Sequence, residues 1–154
     1  MTSINIDFKG EKLTINIYDY AVEIAIQLIK TQSLSGMERD AAYLVKDYIE
    51  SFGVDKCFID ELGNVIAIIK GKSEDAIMFE GHLDHVPPGR IELWDVPPYS
   101  AKIIDNKIYG RGSVDMKSSI ASMLAAASKI AERENELTLY LAFVVHEETD
   151  EGVA

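Results

Sequence analysis

The sequence has 154 residues, of which 47% are hydrophobic and 27% are charged, enough for one domain with a buried core. Its 26 acidic and 15 basic residues give a net charge of −11, which disfavours nucleic acid and membrane partners because both are anionic. No apolar run reaches the roughly 20 residues that span a bilayer. Cys57 is the single cysteine, so no intrachain disulfide is possible, and the N-terminus lacks a signal-peptide pattern. We therefore predict a cytoplasmic protein.

The first fifty residues predict an N-terminal extension and two helices. Residues 1–17 alternate apolar and polar side chains, which is typical of a hairpin or a loose extension. Apolar spacing predicts a helix over residues 19–31. A second helix is predicted to start at Ser35, because Ser35 and Glu38 have the spacing of a capping box, and Gly53 is a plausible stop.

The rest of the chain predicts strands that alternate with helix. Residues 56–71 read as two strands joined by a tight turn, and residues 100–110 read as another hairpin. The apolar runs at 76–80 and 137–145 are typical of central strands buried on both faces. A third helix is predicted over residues 117–132. The expected fold class is α/β, with a mixed, largely parallel sheet and flanking helices.

Polar side chains collect where these elements meet. His82 and Asp84 stand two apart in an extended segment, so their side chains can face one pocket. Asp115 lies just ahead of the third helix, where an aspartate is also an ordinary helix-start residue. Glu147 and Glu148 follow the last apolar strand. Neighbouring carboxylates there repel each other unless a cation or a proton relieves them, although a solvated acidic loop has the same sequence.

Taken together, these clusters predict a metal site. Ligands of α/β sheets gather outside the carboxyl ends of strands, which is where all three clusters fall. One imidazole with several carboxylates suits zinc, and also cobalt or manganese. The sequence contains no H-E-x-x-H pair, no G-x-S-x-G elbow and no Walker lysine, which argues against a zincin, a serine hydrolase and a phosphate loop.

Three motifs follow one another in the chain: "GHLDHVP" from Gly81, "WDVPPYSAKIIDNKIYGRGSVDMK" from Trp94, and "HEE" from His146. Their order and spacing resemble the di-zinc metallopeptidase and deacylase superfamily. That group includes acetylornithine deacetylase, succinyl-diaminopimelate desuccinylase, aminoacylase and carboxypeptidase G. The resemblance covers residues 18–154 and identifies them as the N-terminal part of that family's catalytic domain.

The resemblance implies a role for each polar residue. His82 would bind one Zn²⁺, Asp115 would bridge two, and Glu148 would bind the other. Asp84 would orient His82, and Glu147 would be the general base. A cis peptide bond would follow Asp115. The implied reaction is hydrolysis of an amide bond in a small N-acyl amino acid or peptide by a metal-activated water.

Some features depart from the family pattern. Ser118 stands where the family usually has glycine. We predict that His85 is a turn or surface residue, with substrate contact as the alternative, and that His146 points away from Glu147. The family's further acidic ligand, a late histidine and an inserted dimerisation domain would lie beyond residue 154.

These absences predict that residues 1–154 are inactive alone and that the full-length protein is a homodimer. The alternatives left open are a dipeptidase and a non-catalytic metal-binding or interaction fragment.

Overall fold

The computed structural model describes residues 3–8 and 11–150. An N-terminal hairpin comes first: β1 (Ser3–Phe8) pairs antiparallel with β2 (Glu11–Asn16). The turn between these strands lies outside the described residues. No helix within the described ranges combines the length and apolar character needed to cross a membrane.

The three predicted helices form within four residues of their expected ends, and a short fourth helix forms that the sequence did not predict. Their bounds are α1 (Ile17–Lys30), α2 (Arg39–Glu50), α3 (Lys117–Ala131) and the short α4 (Glu147–Asp150). The Asn16 side chain caps α1 by accepting a hydrogen bond from the Tyr18 N–H at 2.9 Å. The apolar faces of the three longer helices bury Ile24, Val45 and Leu124 completely, so these faces form the core against the sheet.

A four-stranded sheet underlies the core, in the order β3-β4-β8-β5. Its strands are β3 (Lys56–Ile59), β4 (Val65–Ile69), β5 (Ala76–His82) and β8 (Thr138–Val144). The sheet is mixed, as predicted, but of its three strand pairs only β5 with β8 is parallel. The prediction of a largely parallel sheet is therefore wrong for this part of the chain. A tight turn at Gly63 allows only antiparallel pairing of β3 with β4, whereas α3 lies in the long crossover between β5 and β8.

The position of β5 also differs from the prediction. Its apolar sequence indicated a central strand, but among the described residues it is an edge strand. Ile77, Met78 and Phe79 are 46%, 60% and 44% exposed. The other predicted central strand, β8, does lie inside the sheet. The apolar sequence of β5 thus predicts more burial of its side chains than the described residues provide.

The predicted capping box at the start of α2 does not form. The Ser35 hydroxyl donates to Asp84 Oδ2 at 2.6 Å, and Glu38 Oε1 accepts from the backbone N–H groups of Gly36 and His146 at 2.9 and 3.1 Å. Glu38, the residue before α2, makes no side-chain cap bond. The reciprocal pair of a capping box is thus replaced, and contacts with Asp84 and His146 tie the segment before α2 to the residues that follow β5 and β8.

A second hairpin and a buried lysine position the segment before α3. Strands β6 (Lys102–Ile104) and β7 (Lys107–Tyr109) turn at two residues with positive φ, as a type I′ hairpin requires. Lys117 is completely buried, and its Nζ donates to the carbonyl oxygens of Leu28 and Thr31 at 2.9 and 2.5 Å. Burial lowers the pKa of Lys117 to about 8. This tether fixes the start of α3 against the C-terminal end of α1, where backbone carbonyls favour a cation.

Candidate metal centre

Three side chains from separate elements converge at one end of the sheet. His82 is the last residue of β5, Asp115 precedes α3, and Glu148 lies in α4 directly after β8. A ligand atom of each lies within 4.8 Å of the other two. Because β5 and β8 are parallel and His82 pairs with Val144, the carboxyl ends of both strands meet at this point.

The imidazole of His82 is oriented by its neighbours on both sides. Its Nδ1 lies 3.1 Å from the carbonyl oxygen of Asp84 and 3.4 Å from Asp84 Oδ1. Its Nε2 lies 2.9 Å from Asp115 Oδ1. A histidine that donates its Nδ1 hydrogen to an oxygen presents Nε2 as a ligand, which is the usual arrangement at metal sites.

Asp84 is a buried carboxylate that joins three parts of the site. It accepts hydrogen bonds from the Ser35 hydroxyl at 2.6 Å and from the N–H groups of Glu147 and Glu148 at 3.2 and 3.0 Å. Burial alone would raise the pKa of Asp84, but these hydrogen bonds outweigh it and hold the pKa below its usual value. The ionised carboxylate therefore positions both His82 and the start of α4.

Replacing Asp84 with asparagine is expected to weaken metal binding by about 10- to 100-fold, because the group that orients His82 and α4 loses its charge. The measurement is chelator competition for zinc with the complete gene product. Asp60→Asn is the matched control, since Asp60 also accepts several turn N–H groups, from Leu62, Gly63 and Asn64, away from the cluster. Equal zinc affinity in the Asp84 variant and the wild type would contradict this role.

The two adjacent glutamates occupy different positions. Glu148 contributes a ligand atom to the cluster. Glu147 is 45% exposed, and its Oε2 lies 3.9 Å from His82 Nε2, beside the cluster rather than within it. One carboxylate can therefore bind a cation while its neighbour remains available to carry a proton.

The charges of the site favour a cation. Burial alone would lower the pKa of His82, but the hydrogen bond to Asp115 and the negative charges of Glu147 and Asp84 raise it above its usual value. The same negative potential would act on a bound metal ion. One imidazole nitrogen with two carboxylate oxygens is a donor set that fits zinc or a similar divalent ion, with a position left open.

The peptide bond between Asp115 and Met116 is cis, as the resemblance implied. Met116 Sδ accepts a hydrogen bond from the His82 N–H at 3.3 Å. The segment after the cis bond is therefore in contact with the end of β5, which places Asp115 opposite His82.

The two flanking histidines lie outside the cluster. His85 is completely buried, so its prediction as a turn or surface residue is wrong. Its Nε2 accepts the Ser33 N–H at 3.1 Å, and its Nδ1 lies 3.0 Å from the Val86 carbonyl oxygen, which fits a neutral ring. Burial lowers the pKa of His85 accordingly. His146 has a φ of 61°, and its Nδ1 lies 3.8 Å from Asp150 Oδ2.

Sequence reasoning missed two residues of this region. The sequence pattern favours Ser35 as a helix cap, whereas its contact with Asp84 spans 49 positions of sequence. The "GRGSVDMK" motif predicts no role for Arg111, yet this residue lines the cleft beside Asp115 and Glu148. The glycines on either side of Arg111 were the available signal, because they indicate a constrained loop.

A family profile described as "Peptidase family M20/M25/M40" matches residues 78–154 of this chain, which include all three motifs. The chain belongs to this peptidase family. Among curated proteins, it is 38% identical over 126 residues to succinyl-diaminopimelate desuccinylase of Wigglesworthia glossinidia brevipalpis. It is 35% identical over 136 residues to the enzyme of that name from Hydrogenovibrio crunogenus.

The alignments cover 80% and 86% of this M20/M25/M40 chain but 33% and 35% of those two relatives. The chain thus spans about a third of their length. Solved structures show the same fold. Human carnosine dipeptidase 1 superposes with a TM-score of 0.76 at 19% identity, covering 86% of this chain and 33% of that one. The metallo-carboxypeptidase Sso-CP2 of Sulfolobus solfataricus superposes with a TM-score of 0.74 at 24% identity. That superposition covers 80% of this chain and 30% of Sso-CP2.

Proposed function

We propose that this chain carries the metal-binding part of a two-zinc amide hydrolase that acts on small N-acyl amino acids or peptides. The observation behind the proposal is the convergence of His82, Asp115 and Glu148, with Glu147 beside them. Membership of the M20/M25/M40 family and the desuccinylase relatives support the same reaction class. Residues 18–154 would then be the N-terminal part of the catalytic domain.

Each side chain of the site has a task in this proposal. His82 would hold one zinc, Glu148 the other, and Asp115 both, while Asp84 keeps the His82 ring in place. Zinc, when bound, supplies a water of lowered pKa and polarises the carbonyl of the scissile amide.

Glu147 would carry the proton. Its carboxylate would accept a proton from the attacking water and donate it to the nitrogen of the departing amine. The half-exposed position of Glu147, with Oε2 close to His82 Nε2, suits a group that must reach both water and substrate. A neutral leaving amine departs far more readily than an anionic one, so this second transfer is as necessary as the first.

A deacylase is favoured over a dipeptidase, because the relatives from Wigglesworthia and Hydrogenovibrio are both named desuccinylases. Cobalt or manganese could replace zinc with the same ligands. A homodimer and a cytoplasmic location are further parts of the proposal. The location is supported by the single cysteine, Cys57, since a lone thiol fits a reducing compartment.

The test measures the zinc content and amide hydrolysis of the complete gene product. We expect about two zinc ions per chain and turnover of N-acyl amino acids that chelation removes and added zinc restores. Absence of metal at micromolar zinc would overturn the proposal. Tight zinc binding without turnover of any N-acyl amino acid or dipeptide would favour the non-catalytic metal-binding alternative.

A further inference from the structure

Arg111 is a cation beside the metal cluster that has no anionic partner among the described residues. It lies in the loop between β7 and α3, where its N–H donates to the Pro98 carbonyl oxygen at 2.7 Å. Its guanidinium carbon lies 5.4 Å from the centre of the Trp94 ring. The Trp94 ring is itself held by a 2.9 Å hydrogen bond from Nε1 to the Pro88 carbonyl oxygen. The side chain of Arg111 is thus supported by an anchored aromatic ring.

One polar atom of this side chain is unsatisfied. Arg111 Nε is buried and has no hydrogen-bond partner, and no ion pair joins the guanidinium to another residue of the described ranges. Aromatic contact does not replace a hydrogen bond, and a buried donor without an acceptor is costly. A guanidinium matches a carboxylate with two parallel N–H···O bonds, so a carboxylate is the complementary ligand.

The cleft next to Arg111 leads to the reaction centre. Its volume is about 260 Å³, and Arg111 lines it together with Val86, Ser113, Asp115 and Glu148. Asp115 and Glu148 are the two carboxylates that line the cleft, and bound metal would neutralise them, so neither would offset the charge of Arg111. The local field would then attract an anionic group of the substrate.

We propose that Arg111 is a substrate-binding residue, whose guanidinium pairs with a carboxylate of the substrate and selects the acid over the corresponding amide. This inference rests on the proposed amide hydrolysis and adds the substrate class. The carboxylate has two possible sources, the acyl group, as in a succinyl chain, and the amino acid. Both present the same chemistry to Arg111, and the substrates of the test separate them.

The test compares three compounds built on one amino acid, the one that the complete gene product hydrolyses fastest or, without turnover, the one whose N-succinyl derivative binds most tightly. The first is the N-succinyl amino acid, the second carries an amide in place of the succinyl carboxylate, and the third an amide in place of the amino acid carboxylate. Arg111→Ala is expected to lower kcat/KM for the first substrate by about 10- to 100-fold. For the substrate that lacks the recognised carboxylate, Arg111→Ala should change kcat/KM by less than about threefold. The amide that is unaffected therefore identifies the source of the carboxylate.

A binding measurement separates failure of this inference from failure of the proposed reaction. Calorimetric Kd values are measured for the same compounds with Glu147→Gln and with Glu147→Gln combined with Arg111→Ala. We expect Arg111→Ala to raise the Kd of the N-succinyl amino acid by about 10- to 100-fold. The Kd of one of the two amides should stay unchanged. This comparison needs no turnover, so it decides the role of Arg111 even if no substrate is cleaved.

Two further variants complete the design. Arg133→Ala is the matched control, because Arg133 is exposed beyond the far end of α3, and it should behave as wild type. Arg111→Lys keeps the charge without the paired N–H groups and should recover part of the selectivity. Equal losses on all three substrates, or no loss on any, would overturn the inference. So would equal Kd values with and without Arg111.

Discussion

Glu147→Gln in the complete gene product is expected to lower kcat by about 10²- to 10⁴-fold, the contribution of a positioned general acid–base. The amide has nearly the shape of the carboxylate but cannot accept the proton of the attacking water. Zinc content should stay near the wild-type value, because Glu147 lies beside the ligand cluster rather than in it. Steady-state kinetics and elemental analysis of the same preparation provide both measurements.

Glu61→Gln is the control for this substitution. Glu61 is exposed in the turn between β3 and β4, so the same chemical change there should leave kcat and zinc content unaltered. Loss of zinc from the Glu147 variant would indicate that Glu147 is a ligand. A kcat within tenfold of wild type would show that another group carries the proton.

His82→Ala is expected to remove about one of two bound zinc ions and to abolish turnover. The substitution deletes a ligand nitrogen and also removes the group that contacts Asp84 and Asp115. The remaining carboxylates would form a poorer site for zinc, since imidazole is one of its preferred ligands. Zinc per chain after dialysis against a weak chelator is the measured quantity.

The matched control is His146→Ala. His146 adjoins the same glutamates in sequence, but it is outside the ligand cluster of the described residues. Its replacement should leave zinc content unchanged. Two zinc ions retained by the His82 variant, or one lost from the His146 variant, would require a new assignment of the ligands.

Local sequence patterns predicted most of the elements. The type and approximate bounds of α1, α2 and α3 followed from apolar spacing, and the hairpin of β6 and β7 followed from Asp105–Asn106. These features depend on residues a few positions apart, so the chain encodes them locally. The parallel pairing of β5 with β8 could not be read in the same way, because it depends on which distant strands become neighbours.

The candidate site was predictable because its residues cluster at element ends. His82, Asp84 and the two glutamates each follow an apolar run, and such runs end at one edge when they pair in parallel. The contact of Ser35 with Asp84 was not predictable, since a serine before a helix already has a local explanation. The burial of His85 was missed for a related reason: its partner Ser33 is 52 positions away.

From the exposed edge of β5 we expect any self-association of these 154 residues to depend on ionic strength. An edge strand that carries Ile77, Met78 and Phe79 offers unpaired backbone groups to a second strand. The net charge of −11 opposes such contacts between copies. Because salt shortens the range of that repulsion to about 3 Å at 1 M, concentrated salt favours edge-to-edge pairing. In dilute buffer the repulsion between the acidic surfaces should keep two copies apart.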